Sequence, residues 1–347
     1  MRSFQRDATM DPVPGVIVAM LRAIDLAAGA EARSVDQLPQ LLGGLQEQAR
    51  IESITASSAI EGVVVDDVRV PALVSANPPR LRNRSEKEFA GYRAALDYLH
   101  QQDPGTLSIG LILHLHRLLF SFVDGGGGRF KLNDNLIINR HDDGTTTTRF
   151  EPVPAAETEH YVAELVDRTH DALAAGVVHP MLITAAFGLD LLCIHPFADG
   201  NGRVARLMTT YLMSRSGYGV GRYVSLEQLI YETKDEYYAA LGASTTGWFD
   251  DGAHDMWPWA SYFLGCVADA YERFADRIAA GTTGGTKQDR IRDFVLLHSP
   301  ATFSISDIRR AVPGVSDQTI RLVLTELKVA GKVTVDGSGR GASWQRL

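Results

Sequence analysis

Residues 194–203 read IHPFADGNGR and run on into VAR. The stretch holds an imidazole (His195), a carboxylate (Asp199), two glycines (Gly200, Gly202), an amide (Asn201) and two fixed cations three residues apart (Arg203, Arg206). His195 has an intrinsic pKa suited to taking a proton near neutral pH. Asp199 is acceptor-only when ionised and suits a hard divalent cation; Mg2+ in particular keeps waters and bridges phosphates. The glycines let consecutive N–H groups approach a ligand. The helix that starts near Gly202 adds its free N–H groups and positive dipole end, which makes an anion site of the phosphate-loop kind. Arg203 and Arg206 share one helix face. Each residue alone has an ordinary structural use. Base, carboxylate, anion nest and arginines in one loop specify phosphoryl or nucleotidyl transfer.

Such a loop needs rigid elements on both sides. Thr184 to Ile194 is nearly all apolar and reads as a core helix. Pro196 ends it, because proline cannot continue the ladder and pushes the residue before it toward extended geometry. Helix-spaced apolar residues mark Gly15–Ala30 and a second helix that ends at Gly62, a suitable C′ residue. Further helices are expected in SEKEFAGYRAALDYLHQ, with Ser85 and Glu88 as a capping box, and from Thr158, Pro180, Gly202, Thr233 and Trp257. Between them, GGGGRFKLNDNLIINRHDDGTTTTRFEPV breaks helical spacing and reads as a β-hairpin or flap. GTTGGT, residues 281–286, has linker composition. After it come three short helical stretches and two strands, KVTVDG and ASWQRL, the outline of a winged helix-turn-helix.

The expected fold is therefore mainly α: an N-terminal helical region (1–106), a helical domain with a flap (107–280), a linker (281–286) and a small α+β unit (287–347). The chain has 347 residues, 45% of them hydrophobic and 22% charged, an ordinary globular balance. Its net charge of −8 argues against a basic surface over the whole molecule. Residues 287–347 carry ten Lys and Arg against six Asp and Glu, about +4. Gln318 and Arg321 at the start of the last helix make DNA contact through this unit an open reading, and a homodimer is another. Two cysteines, no apolar signal segment in MRSFQRDATMDPVPG and no apolar run of about 20 residues point to a cytoplasmic protein without membrane partners.

HPFADGNGRVAR resembles the Fic family motif H-P-F-x-[DE]-G-N-G-R-x-x-R at every fixed position. LHLHRLLF before the flap and YETKDEYYAALGAST after it extend the resemblance from about Leu107 to Ala280. The resemblance implies an all-helical Fic fold and transfer of AMP from ATP to a Ser, Thr or Tyr hydroxyl. His195 would take the proton and Asp199 would hold Mg2+, with Mn2+ as a substitute. Gly200, Asn201, Gly202, Arg203, Val204, Ala205 and Arg206 would bind the nucleotide, with Arg206 at the γ-phosphate and Tyr238 beside the nucleoside. The flap, residues 131–151, would align the target protein. Lys131 departs from the arginine frequent after GRF, and the tip NRHDDGTTTT is long.

SSAIEG, residues 57–62, places Ser57 and Glu61 one helical turn apart. These residues and Gly62 match the family's inhibitory pattern [ST]-x-x-x-E-[GN]. The resemblance implies that Glu61 pairs with Arg206 and occupies the γ-phosphate position. Other features have structural readings. His114 and His116 point about 200° apart on a helix and share no metal. Cys193 is a small buried thiol, and Trp257 and Trp259 are packing residues. Two further functions fit the same motif: a Fic-type transferase of another group, or one that removes AMP, and a DNA-binding regulator whose Fic-like core senses nucleotide.

Overall fold

The computed structural model describes the chain except residues 1, 5–11, 36–37, 76–78, 102, 141–143, 250–253, 283–285, 313 and 338–341. Among the described residues two apolar cores form, one drawn from residues 17–274 and a smaller one from 291–333. The large core is enclosed by α1 (Gly15–Val35), α2 (Pro39–Ile60), α3 (Val70–Leu73), α4 (Arg84–Gln101) and α5 (Ile109–Leu119). It continues with α6 (Thr158–Ala175), α7 (Pro180–Ile194), α8 (Asn201–Arg215), α9 (Leu226–Glu232), α10 (Lys234–Thr245) and α11 (Trp257–Thr282). An antiparallel hairpin, β1 (Ile137–Arg140) and β2 (Thr146–Phe150), stands between α5 and α6, with Ile137 opposite Phe150.

α7 sets the layout. Every residue from Met181 to Ile194 is buried, as a helix apolar on all sides must be. α6, α8, α10 and α11 pack around it. Its one carboxylate, Asp190, accepts from Trp248 Nε1 (2.9 Å) and Ser3 Oγ (2.6 Å). The second contact ties the start of the chain to α7. Arg2–Phe4 is a 3-10 turn docked on α7 because a buried carboxylate needs donors.

Three other expectations change. Ser85 and Glu88 do not form a capping box. α4 already includes Ser85, Asn83 Oδ1 accepts the Glu86 N–H (2.9 Å), and Glu88 faces inward to Arg203. α11 runs through Gly281 and Thr282, so helix replaces the start of the linker; residues 283–285 lie outside the described residues. The short helices α3 and α9 add to the helices expected from periodicity. The flap is a hairpin as expected, although residues 141–143 at its tip are outside the described residues.

The small core gathers α12 (Lys287–Asp293) with a π-helical turn to His298, α13 (Ile305–Ala311), α14 (Asp317–Val329), β3 (Thr302–Phe303), β4 (Val333–Asp336) and β5 (Ser343–Arg346). The sheet order is β3-β5-β4, antiparallel throughout. The two expected strands are β4 and β5; β3, only two residues long, joins them. α13 packs on α2, where the Arg310 carbonyl comes too close to Gly44 for any Cβ. Among the described residues no helix is long and apolar enough to cross a membrane.

Candidate active site

α7 ends at His195, whose φ of 50° and ψ of 60° make it the one non-glycine residue with positive φ among those described. That conformation costs a non-glycine residue on the order of 1–3 kcal/mol, so the surroundings must impose it. Asn201 supplies part of the constraint. Its Oδ1 accepts the Phe197 N–H (2.8 Å) and its Nδ2 donates to the Phe197 carbonyl (2.8 Å), closing the loop on itself. The buried Phe197 ring stacks on His116 at 3.8 Å and 11°.

His116 is the residue sequence reasoning undervalues. Its Nδ1 accepts the Gly128 N–H (2.8 Å) and its Nε2 faces the Asp199 carbonyl (3.2 Å), so one neutral ring joins the loop to the base of the flap. Burial lowers its pKa to about 4, outweighing the Asp199 backbone bond, which raises it. His114, by contrast, meets only the Tyr98 ring (4.6 Å) among aromatic groups of the described residues. Cys193 is fully buried and its thiol is pushed well above its ordinary pKa by that burial, which rules it out as a ready nucleophile. Trp259 donates Nε1 to the Ala185 carbonyl within the core, a packing role; Trp257 packs at the edge of the same core.

Gly200 has φ 82°, and a Cβ there would meet the Phe120 ring at 2.8 Å and Leu119 at 2.9 Å. It is the N-cap of α8, and its N–H is taken by Asp199 Oδ1 (2.7 Å). Asp199 is half exposed, with Oδ2 facing Arg84 (3.2 Å). Arg203 is almost wholly buried. It donates Nη1 to Glu88 (2.7 Å) and aims Nη2 at Asp199 (3.4 Å), with its guanidinium over Phe120. Burial alone would raise the pKa of Glu88, yet hydrogen bonds from Arg84 and Arg203 hold it below the usual carboxylate range. The Val204 and Ala205 side chains are buried in the core, so those two positions offer only backbone to the loop.

Arg206 is buried and faces α2. Its Nε donates to Ser57 Oγ (3.1 Å), and its Nη2 donates to the Ser57 carbonyl (3.1 Å) and to Glu61 Oε1 (2.9 Å). Its Nη1 is buried without a hydrogen-bond partner among the described residues. Glu61 Oε1 also lies against Gly202 so closely that a Cβ there would collide with it. The carboxylate thus sits over the first turn of α8, where a helix attracts anions. Gly62, with φ 75°, ends the helix that carries it.

His195 directs Nδ1 at the Leu192 carbonyl (3.4 Å), which keeps that nitrogen's proton and leaves Nε2 to accept. Burial, with Lys131 adding to it, lowers the imidazole pKa to about 4, while the Leu192 bond, Glu61 and Asp199 pull the other way. Tyr238 lies under the Arg149 guanidinium (5.0 Å), and Arg149 Nη2 donates to the Tyr238 carbonyl (2.8 Å), tying β2 to α10.

Residues 106–213, which hold this helix–loop–helix and its flanking hairpin, match the Fic/DOC family. The chain therefore carries a Fic domain. It is similar to protein adenylyltransferase fic-1 of Caenorhabditis elegans, 30% identical over 169 residues, which are 47% of this chain and 30% of that one. It is also similar to protein adenylyltransferase Fic of Nematostella vectensis, 25% identical over 246 residues, 68% of this chain and 50% of the relative. The chain thus spans half or less of the length of these relatives. A Fic family protein from Desulfovibrio desulfuricans G20 shares the fold at a TM-score of 0.62 and 21% identity, covering 96% of this chain and 97% of that one. Fic-1 of C. elegans superposes with a TM-score of 0.60 at 22% identity, covering 77% of this chain and 74% of that one.

Proposed function

We propose that this chain is a protein adenylyltransferase held in check by its own α2. It moves AMP from ATP to a Ser, Thr or Tyr hydroxyl of a target protein, with residues 107–280 as catalytic domain and the brake in residues 1–106. The observation that carries this reading is the position of Glu61. Its carboxylate rests on the first turn of α8, bonded to Arg206, whose Nη1 has no partner among the described residues. Anion, helix start and buried arginine already form the contact a terminal phosphate would make.

With Glu61 displaced, Arg206 and the N–H groups at the start of α8 bind the triphosphate. Neutral His195 accepts the target hydroxyl's proton at Nε2. The freed oxygen attacks the α-phosphorus, the bond to the β-phosphate oxygen breaks, and pyrophosphate leaves. A half-exposed carboxylate beside an anion site suits a hard cation, and Asp199, whose Oδ2 now faces Arg84, is the residue that would hold Mg2+. The ion would neutralise charge developing on the phosphates. The flap strand β2, fixed to α10 through Arg149, offers an edge to the target backbone. Residues 287–347 fit a winged helix-turn-helix by the order of their elements.

The test is intact mass after incubation with ATP and Mg2+, in the presence of lysate proteins. Wild type, Glu61→Gly, and Glu61→Gly with His195→Ala are compared. The expected result is AMP-sized labelling that rises on the order of tenfold to a hundredfold in the single mutant, as loss of a charge pair with one buried partner would allow. In the double mutant it falls by about 10²–10⁴. Labelling that is equal in all three proteins, or absent from all, would overturn the proposal.

A further inference from the structure

The loop that leads into the flap carries a buried lysine. Lys131 is 5% exposed, yet among the described residues no carboxylate pairs with its ammonium. Its contacts are neutral oxygens: Asn135 Oδ1 at 2.9 Å and the Ile194 carbonyl at 3.4 Å. Its backbone N–H donates to the Pro196 carbonyl at 2.9 Å. The two Lys131 contacts to the α7 end therefore fall on the residues immediately before and after His195. Asn135, oriented by the same ammonium, donates Nδ2 to the Phe197 carbonyl (3.2 Å). One side chain, its backbone and its neighbour hold three carbonyls of the turn on which His195 is bent into the left-handed region.

A buried ammonium without an anionic partner is costly. Burial lowers the Lys131 pKa to about 8, with Asp134 opposing, so the group still carries its charge near neutral pH. That charge acts on what lies beside it. The charged groups that bear on His195 are Lys131, which favours the neutral imidazole, and Glu61 and Asp199, which favour the imidazolium.

We propose that Lys131 is a positioning residue for His195, clamping the turn that aims the imidazole and setting a fixed positive charge beside it. This rests on His195 acting as the base of the transferase. The clamp holds Nε2 toward the target hydroxyl; the charge adds to burial in keeping that nitrogen unprotonated at pH values where an ordinary histidine would be half charged. When Glu61 withdraws to admit nucleotide, one of the two opposing carboxylates leaves as well. The lysine then has the greater relative weight in the active state.

The experiment uses the full chain in the Glu61→Gly background and compares Lys131, Lys131→Met and Lys131→Arg. Two readouts are taken: steady-state transfer across pH, and NMR titration of the His195 ring. Lys131→Met should lower kcat about tenfold with KM for ATP changed less than about twofold. The His195 titration, and the acidic limb of kcat with it, should move up from about 4 but stay below the ordinary histidine value, because burial remains. Lys131→Arg should keep the titration low and recover part of kcat, because it keeps the charge but not the single-point geometry. An unchanged titration in Lys131→Met overturns the proposal, as does a loss confined to KM. If Lys131→Met does not fold, a His195 titration that rises in Lys131→Arg overturns it equally. The NMR readout needs no turnover. Absence of AMP transfer in every variant would therefore sink the transferase reading while leaving the lysine's effect on His195 measurable.

Discussion

Two helix ends meet at the Arg206–Glu61 contact, and they are built differently. At the start of α8, Asn201, Arg203 and Arg206 are buried, and each is tied by two or more hydrogen bonds. Gly200 is pressed against Phe120 and Leu119. At the end of α2, Glu61 is 30% exposed, Gly62 has open space around its Cα, and Val64 and Val68 beyond it face solvent. The dipoles sharpen the contrast. A carboxylate is disfavoured at the C-terminal end of its own helix and favoured at the N-terminal end of another. Glu61 is held by α8 rather than by α2. Under the proposed function a catalytic loop must not move and a brake must, and the two ends differ in that sense.

The comparison predicts unequal responses to similar substitutions. The largest is expected for Gly200→Ala in the Glu61→Gly background. Positive φ and the clash with Phe120 act together, and displacement of the loop by about 1 Å is enough to lower transfer roughly a hundredfold. Initial rates at saturating ATP measure it; a loss under about threefold would mean that the loop is not rigid and the contrast is false. Next in size is Glu61→Gln, which keeps the shape and the acceptor but removes the charge. A hydrogen bond to a charged group exceeds a neutral one by about 1–1.5 kcal/mol, so transfer should rise about tenfold over wild type and stay below Glu61→Gly. Equal rates in Gln and Gly variants would assign the whole brake to charge; a Gln variant as slow as wild type would assign it to shape.

The two ends are also unequally legible in the sequence. The loop from His195 to Arg206 can be read because its residues act at short range: turn, helix start and charge all follow from spacing within a dozen positions. The one-turn spacing of Ser57 and Glu61 is equally visible, but their partner lies about 150 residues away and only the family resemblance points to it. The residues that escape are those whose roles arise from packing between distant segments. Glu88 has the spacing of half a capping box and instead meets Arg203. His116 has an ordinary structural reading on its helix, yet it stacks under the loop. Gly281 and Thr282 have linker composition, but the last turn of a 26-residue helix packed along α1 carries them. α9, seven residues capped by Ser225, is too short for periodicity to announce.

The smallest effect, and the most discriminating, is expected at Gly62. It shares positive φ with Gly200, but no atom lies within 4 Å of the place a Cβ would take, so Gly62→Ala introduces backbone strain without a clash. That strain is about 1 kcal/mol and falls on the last turn of α2, where the Gly62 and Val63 N–H groups close on the carbonyls of Ala59 and Ser58. If Glu61 depends on that turn for its position, loosening it should raise transfer by the otherwise wild-type protein about threefold to fivefold. The melting temperature should fall by no more than about 2–4 °C. If α8 alone holds the carboxylate, the melting temperature falls by the same amount and the rate does not change. The rate therefore distinguishes a brake that is a helix end from one that is a single ion pair, which the much larger Glu61→Gly effect cannot do.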